Sequence, residues 1–216
     1  PEYIKGCDIA SFDIYPVAHD SPEVKGQLWY VAHGVERLHK WKAENQLVWN
    51  CLECTRIHSP KHKATPQQLR SEAWMSLIHG SQGLIYFVHE WAPKFKEAAL
   101  LDDPEMLAAA TALNRQIKEL APVLNSPAVT PGATATSDKP QIPIATRLIR
   151  RAGATYLFAA AMREGDVKVS FQVPNLKGKQ SVEVLGENRK LTAQDGVFRD
   201  DFEPWGVHLY LIRRRD

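Results

Sequence analysis

The sequence predicts an α/β portion followed by an all-β portion: three βα units with parallel strands, then a small antiparallel β-sandwich. Three observations lead there. Up to residue 124, short apolar runs alternate with helical patterns, an order β-α-β-α-β-α that calls for crossover helices between parallel strands. Beyond residue 143 the runs are strand-like and separated by Gly, Pro, Asn and Asp. Between them, residues 125–143 (NSPAVTPGATATSDKPQIP) have no periodicity and read as a linker or edge passage. The expected division is therefore 1–124, 125–143 and 144–216.

Cys7 to Tyr15 (CDIASFDIY) reads as the first strand, closed by Pro16. Ser21-Pro22-Glu23 offers a Ser cap, a Pro at the first position and an acid near the dipole, which predicts a helix start there. Leu28, Val31, Val35, Leu38 and Trp41 continue it at helical spacing. Gln46 to Thr55 is the second strand, and Thr65-Pro66 opens a helix with Leu69, Ala73, Trp74 and Leu77 on its apolar side. Leu84 to Trp91 (LIYFVHEW) is the third strand. A last helix starts near Asp103-Pro104-Glu105 and carries Met106, Ala110, Leu113, Ile117 and Leu120. In the second portion, Ile144–Ile149, Thr155–Met162, Val167–Val173, Gln180–Val184 and Val207–Ile212 are short strands with turns such as Glu164-Gly165-Asp166.

Composition narrows the function. Lys+Arg total 27 against Asp+Glu 25, a formal charge of +2, so there is no electrostatic case for nucleic acid or an anionic membrane as partner. No apolar run approaches a membrane span. Three cysteines, an odd number, argue against a disulfide scaffold. Cys51-Leu-Glu-Cys54 matches C-x-x-C, but positions i and i+3 of a strand face opposite ways, which disfavours a shared metal. His58 and His62 flank Pro60 in a polar loop and read as solvated; Arg213 to Arg215 read as a solvated end. Phosphate-cradling and dinucleotide fingerprints are missing from the sequence, so no cofactor is expected, and no metal.

In parallel α/β architectures chemistry gathers where strands end and loops begin. That rule nominates Asp13 and Tyr15 after the first strand, Glu53 with Arg56 after the second, and His89, Glu90 and Trp91 after the third. Alternate residues of a strand share a face, so a carboxylate, a phenol and an indole can converge on one pocket. A carboxylate attacks or shuttles protons, a phenol holds it, and an indole stacks on a sugar ring. The bland alternatives are a rim Glu paired with a loop Arg, an Asp-x-Tyr-Pro turn, and a Trp that plugs a gap.

These strand ends resemble the retaining (β/α)8-barrel glycoside hydrolases of the large clan with catalytic glutamates after strands four and seven. The matching stretches are DIASFDIYP at 8–16, like the sixth strand, and LVWNCLECTRI at 47–57, like the seventh strand. TPQQLRSEAWMSLIHGSQGLIYFVHEW at 65–91 is like the seventh helix and eighth strand. AGATYLFAAAMREGDVKVSFQV at 152–173 and FRDDFEPWGVHLYLI at 198–212 are similar to the β-sandwich often appended to such barrels.

The resemblance implies Glu53 as nucleophile, Tyr15 as the residue that orients it, Trp91 as a stacking platform and Asp13 as a substrate contact. His89 and Glu90 are possible subsite contacts without a clear family role. It implies an oligo- or polysaccharide substrate of β-glucan or xylan type and a secreted or periplasmic protein. Strands one to five, and with them the acid/base glutamate, are missing from the residues given. The expectation is therefore an upstream barrel half, supplied by the same gene product or by another polypeptide. Pro1 in place of Met fits a fragment or a processed chain. The competing expectation is a non-catalytic carbohydrate-binding or scaffold fragment, because a nucleophile without its acid cannot readily expel an alkoxide.

Overall fold

The computed structural model describes residues 2–57 and 59–213. They form two compact units, 1–118 and 119–216.

The first unit is built on a parallel three-stranded sheet in the order β1-β2-β3, with β1 at Ile9–Phe12, β2 at Leu47–Glu53 and β3 at Gly83–Phe87. Helices α1 (Tyr30–Trp41) and α2 (Pro66–Ile78) cross over between them and pack on one face, α1 against β1 and β2, α2 against β2 and α1. On that face Ala10, Val48, Asn50 and Leu52 are buried. Asn50 donates to Ser76 Oγ of α2 at 2.9 Å, which satisfies a polar group inside the layer. Thr65 and Gln68 form a reciprocal capping box at the start of α2.

Among the described residues the helices that cross over between these strands leave the opposite face of the sheet open. Ile9, Leu47 and Ile85 point there, each about two-fifths exposed, with Trp49 and Cys51 half-buried between them. Trp49 lies over Gly83, where an added Cβ would stand 2.5 Å from the indole, so β3 needs a glycine at that register.

Several boundaries differ from the sequence expectation. The helix expected from Ser21 is a series of turns, and α1 begins at Tyr30. The reason is local: Gly26 takes a left-handed φ of 75° and its N–H turns back to Pro16 O at 2.9 Å, ending the first coil. β1 stops at Phe12 and β3 at Phe87, so Asp13 and Tyr15, and likewise His89, Glu90 and Trp91, sit on the loops that follow. Trp41, expected in the core, is 40% exposed and covered by the Arg37 guanidinium, 4.7 Å from the ring centroid. Helix α3 (Pro104–Leu124) follows, its first turn capped by Asp103, which accepts from Met106 N at 3.1 Å.

The second unit is one continuous antiparallel sheet of eight strands, in the order β4-β7-β10-β9-β8-β11-β6-β5. Its strands are β4 Thr134–Ser137, β5 Ile144–Arg151, β6 Ala154–Ala161, β7 Val167–Gln172, β8 Lys179–Val184, β9 Arg189–Gln194, β10 Val197–Phe202 and β11 Val207–Arg213. The edge strands β4 and β5 come back beside each other, so the sheet is nearly closed, barrel-like, around a core that includes Leu157, Val169, Phe171, Val182, Phe198 and Tyr210. Residues 125–143, expected as a linker or edge passage, hold the edge strand β4 and an antiparallel bridge between Ala128 and Ile149. β9 and β10 add to the expected strands. Asp195-Gly196, both at positive φ, turn one into the other in the two-residue hairpin form.

Candidate active site

Glu53 is the last residue of the central strand β2, and its neighbour in register is Phe87 at the end of β3. The chain after β1 loops over it. Val17 N–H donates to Glu53 Oε1 at 2.6 Å and Ala18 N–H to Oε2 at 2.9 Å. The carboxyl is completely enclosed. Burial raises its pKa; the two amide donors and a hydrogen bond with Glu72 offset only part of that rise. The donors on Glu53 are thus backbone amides of the segment beyond Tyr15 rather than the Tyr15 hydroxyl.

Tyr15 nonetheless stands close by. Its ring lies 5.3 Å from that of Phe87, and its hydroxyl pKa is raised by burial first and then by Cys51, Asp13 and Glu53. Asp13 is exposed and near enough to Cys51 to raise the thiol pKa, second to burial. Cys54 takes the other face: it is buried, donates to Phe87 O at 3.0 Å, and burial above all pushes its thiol up to about 12.

From Tyr15 an aromatic run leads outward. Phe87 meets His89 edge-on at 5.9 Å, His89 faces Phe95 at 6.2 Å, and Phe95 lies 4.8 Å from Trp91. Trp91 is 55% exposed and Phe95 52%. His89 is pinned, its Nδ1 accepting from Ala98 N at 3.3 Å while Thr55 Oγ1 donates to its carbonyl. Glu90 faces Arg56 at 3.6 Å and bridges to Lys96 in a short antiparallel turn, so its carboxylate already has a cation. Trp91 N–H donates to Ile57 O at 2.9 Å, which fixes the platform to the loop after β2.

The structure therefore brings Glu53, Tyr15 and the Phe87 ring together, and Asp13 with Tyr15 and Cys51. His89 and Trp91 join through Phe87 and Phe95. His62 pairs with Lys25 at 2.9 Å; His58, Arg214 and Arg215 lie outside the described residues. No group of three metal-ligating side chains occurs among the described residues.

Sequence reasoning missed Phe95, the two amide donors and Glu72. Glu72 sits in the middle of α2, fully buried, and its pKa is pushed well above the ordinary range by burial and by the charge of Glu53. A signal was available: Ser71, Glu72 and Ser76 are interleaved with apolar residues, so α2 has no polar face to turn to water, and Ser71 to Ile78 are all buried.

Comparison with known proteins bears on the fold. No family model and no curated protein matches the chain. Among solved structures it is similar to a GH27 β-L-arabinopyranosidase from Geobacillus stearothermophilus in complex with arabinose. The TM-score there is 0.61 at 11% identity, over 99% of this chain and 47% of that one. An α-amylase from Geobacillus thermoleovorans complexed with acarbose gives 0.59 at 11% identity, over 89% and 48%. AmyP in complex with maltose gives 0.54 at 8% identity, over 88% and 50%. The chain spans about half the length of these structures. Its fold is similar to a portion of each of these structures.

Proposed function

We propose that this chain is the nucleophile-bearing portion of a retaining glycoside hydrolase that cleaves β-glycosidic bonds of glucan or xylan type. The observation that carries the reading is Glu53. It is a carboxylate at the end of the central parallel strand, supplied with two amide donors and flanked by a phenol and an aromatic run that ends in an exposed indole.

Glu53 attacks the anomeric carbon while an acid from the remaining portion protonates the leaving oxygen. A glycosyl-enzyme forms, and water resolves it with retention, the two carboxyls standing about 5–5.5 Å apart. The amides of Val17 and Ala18 favour the anion of the nucleophile against the burial that raises its pKa. Because those amides also cap the carboxylate, the Tyr15–Ala18 segment must uncover one oxygen before a sugar can reach it. Asp13 contacts substrate hydroxyls, Trp91 stacks on a ring, and His89 holds the platform from below. Glu90, neutralised by Arg56, shapes the loop. The open apolar face of Ile9, Leu47 and Ile85 supports the remaining barrel strands as its cover, supplied upstream or by a second polypeptide.

Glu53→Gln, made in the chain joined to its upstream portion, tests the reading. Turnover of β-linked oligosaccharides should vanish with the fold intact, and retained turnover removes Glu53 from the role. The full enclosure of Glu53 favours a second reading, a carbohydrate-binding or scaffold fragment in which this carboxyl is architectural. Oligosaccharide binding without product release by the joined chain would select it.

A further inference from the structure

Glu72 has no role in the mechanism above, yet it is a carboxyl buried without full satisfaction. It projects from the middle of α2, wholly enclosed, and neither carboxyl oxygen has a partner at full hydrogen-bond geometry among the described residues. An ionised carboxylate in that setting would be severely destabilising, so the group is held as the neutral acid. A buried acid has a proton to place, and the acceptor next to it is the carboxyl of Glu53.

The two carboxyls meet in unequal surroundings. Glu53 already receives the Val17 and Ala18 amides at 2.6 and 2.9 Å, donors that favour its anion. Glu72 has only the Glu53 backbone N–H to pull its pKa down, the smallest of the influences on it, and neither of its oxygens has a partner at full hydrogen-bond geometry. Two adjacent carboxyls cannot both ionise cheaply, and the proton settles on the one with the weaker donors. We infer that Glu72 is a positioning residue: it carries the proton of the pair, donates it to Glu53, and so holds Glu53 as an oriented anion.

The protonation of Glu72 rests on its enclosure and on the amides that Glu53 holds, while its catalytic consequence rests on the reading of Glu53 as nucleophile. The titratable groups that act on the pair from neighbouring segments are Tyr15, beyond β1, and Cys54, at the end of β2. Both are weak acids made weaker by burial. Lys63 and Asp103 bear on Cys54. Among the described residues no cation acts on either carboxyl, which leaves the proton to neutralise the pair.

The test is carboxyl-carbon NMR on the 216-residue chain, comparing wild type with Glu72→Gln and Glu72→Leu. Glu72 should be protonated and Glu53 ionised at neutral pH. Glu72→Gln should leave Glu53 ionised, because an amide N–H replaces the O–H. Glu72→Leu should move the Glu53 midpoint up by about one pH unit or more, a tenfold change in proton affinity. A Glu72 that is ionised at neutral pH overturns the inference, as does a Glu53 titration unmoved by Leu, which is what a purely space-filling Glu72 would give.

Should Glu72→Leu not fold, infrared spectra of wild type and Glu72→Gln decide. A protonated-carboxyl band present only in wild type supports the pair, and its absence from both overturns it. If the pair titrates as stated while Glu53→Gln still turns over substrate, the nucleophile reading falls and the pair stands.

Discussion

Arg189 grips Asp200 with both arms of its guanidinium, Nη1 to Oδ1 at 2.7 Å and Nη2 to Oδ2 at 2.8 Å, across β9 and β10. Tyr210 on β11 donates its hydroxyl to the same carboxylate at 2.8 Å, and Glu187 takes Arg189 Nε at 2.8 Å. The Asp200 side chain is 7% exposed and that of Arg189 33%. Asp200→Ala leaves the guanidinium with Glu187 as its remaining carboxylate and strands a buried phenol. Breaking a buried pair costs about 3–5 kcal/mol, and the partial exposure of Arg189 discounts this to about 1–3 kcal/mol. Urea unfolding should show that loss as a lower midpoint at unchanged slope.

Gly34 of α1 lies against Phe12 of β1 with no room for a side chain: an added Cβ would stand 1.9 Å from the ring. Alanine is the better helix former by about 1 kcal/mol, but forced overpacking costs about 1–3 kcal/mol. Gly34→Ala should therefore lower the melting temperature and Gly34→Val lower it further. Pairing Gly34→Ala with Phe12→Leu should recover part of the loss.

Stability should fall as pH rises above the ordinary carboxylate range. Burial raises the pKa of Glu53 and, more strongly, of Glu72, so the folded chain binds more protons than the unfolded one there. The contribution is full below the unfolded carboxylate pKa and is lost as pH climbs toward the raised folded values. Each unit across that window takes up to about 1.4 kcal/mol per proton. Glu72→Gln removes one of these titrations. Unfolding curves between acid and neutral pH should be flatter for the variant, which should be the more stable form at pH 7.

Trp91 and Phe95 present two exposed rings 4.8 Å apart. If they hold sugar rings, Trp91→Ala and Phe95→Ala should each weaken binding of β-linked oligosaccharides. A loss of about 1 kcal/mol, roughly five-fold, is the expected size for an aromatic contact. Calorimetry with the joined chain measures it, and the fold should be unaffected because both side chains are half in solvent.

The fold was legible where pattern and burial agree. β2 reads as a strand because Val48, Asn50 and Leu52 alternate toward the helices, and α2 reads as a helix because Thr65, Pro66 and Gln68 spell its cap. β9 and β10 were hidden by their charges: RKLTAQ and VFRDDF are charge-rich, and Arg189 and Asp200 share the inward faces with Leu191, Ala193, Phe198 and Phe202. The Asp195-Gly196 turn between them was the available clue. The α1 start failed because Ser21-Pro22-Glu23 is a sound local signal that Gly26 overrides three residues on. At the site, strand ends named Glu53, Tyr15 and Trp91. The amides of Val17 and Ala18 bear no side-chain signature, and Glu72 comes to Glu53 only through tertiary packing.

The open face of the β1–β2–β3 sheet has a practical consequence. Ile9, Leu47 and Ile85 form a partly exposed greasy strip, the kind of surface that draws molecules of one kind together. Purified by itself, the polypeptide should scatter more light as concentration rises, and substituting lysine for Ile85 should keep it dispersed.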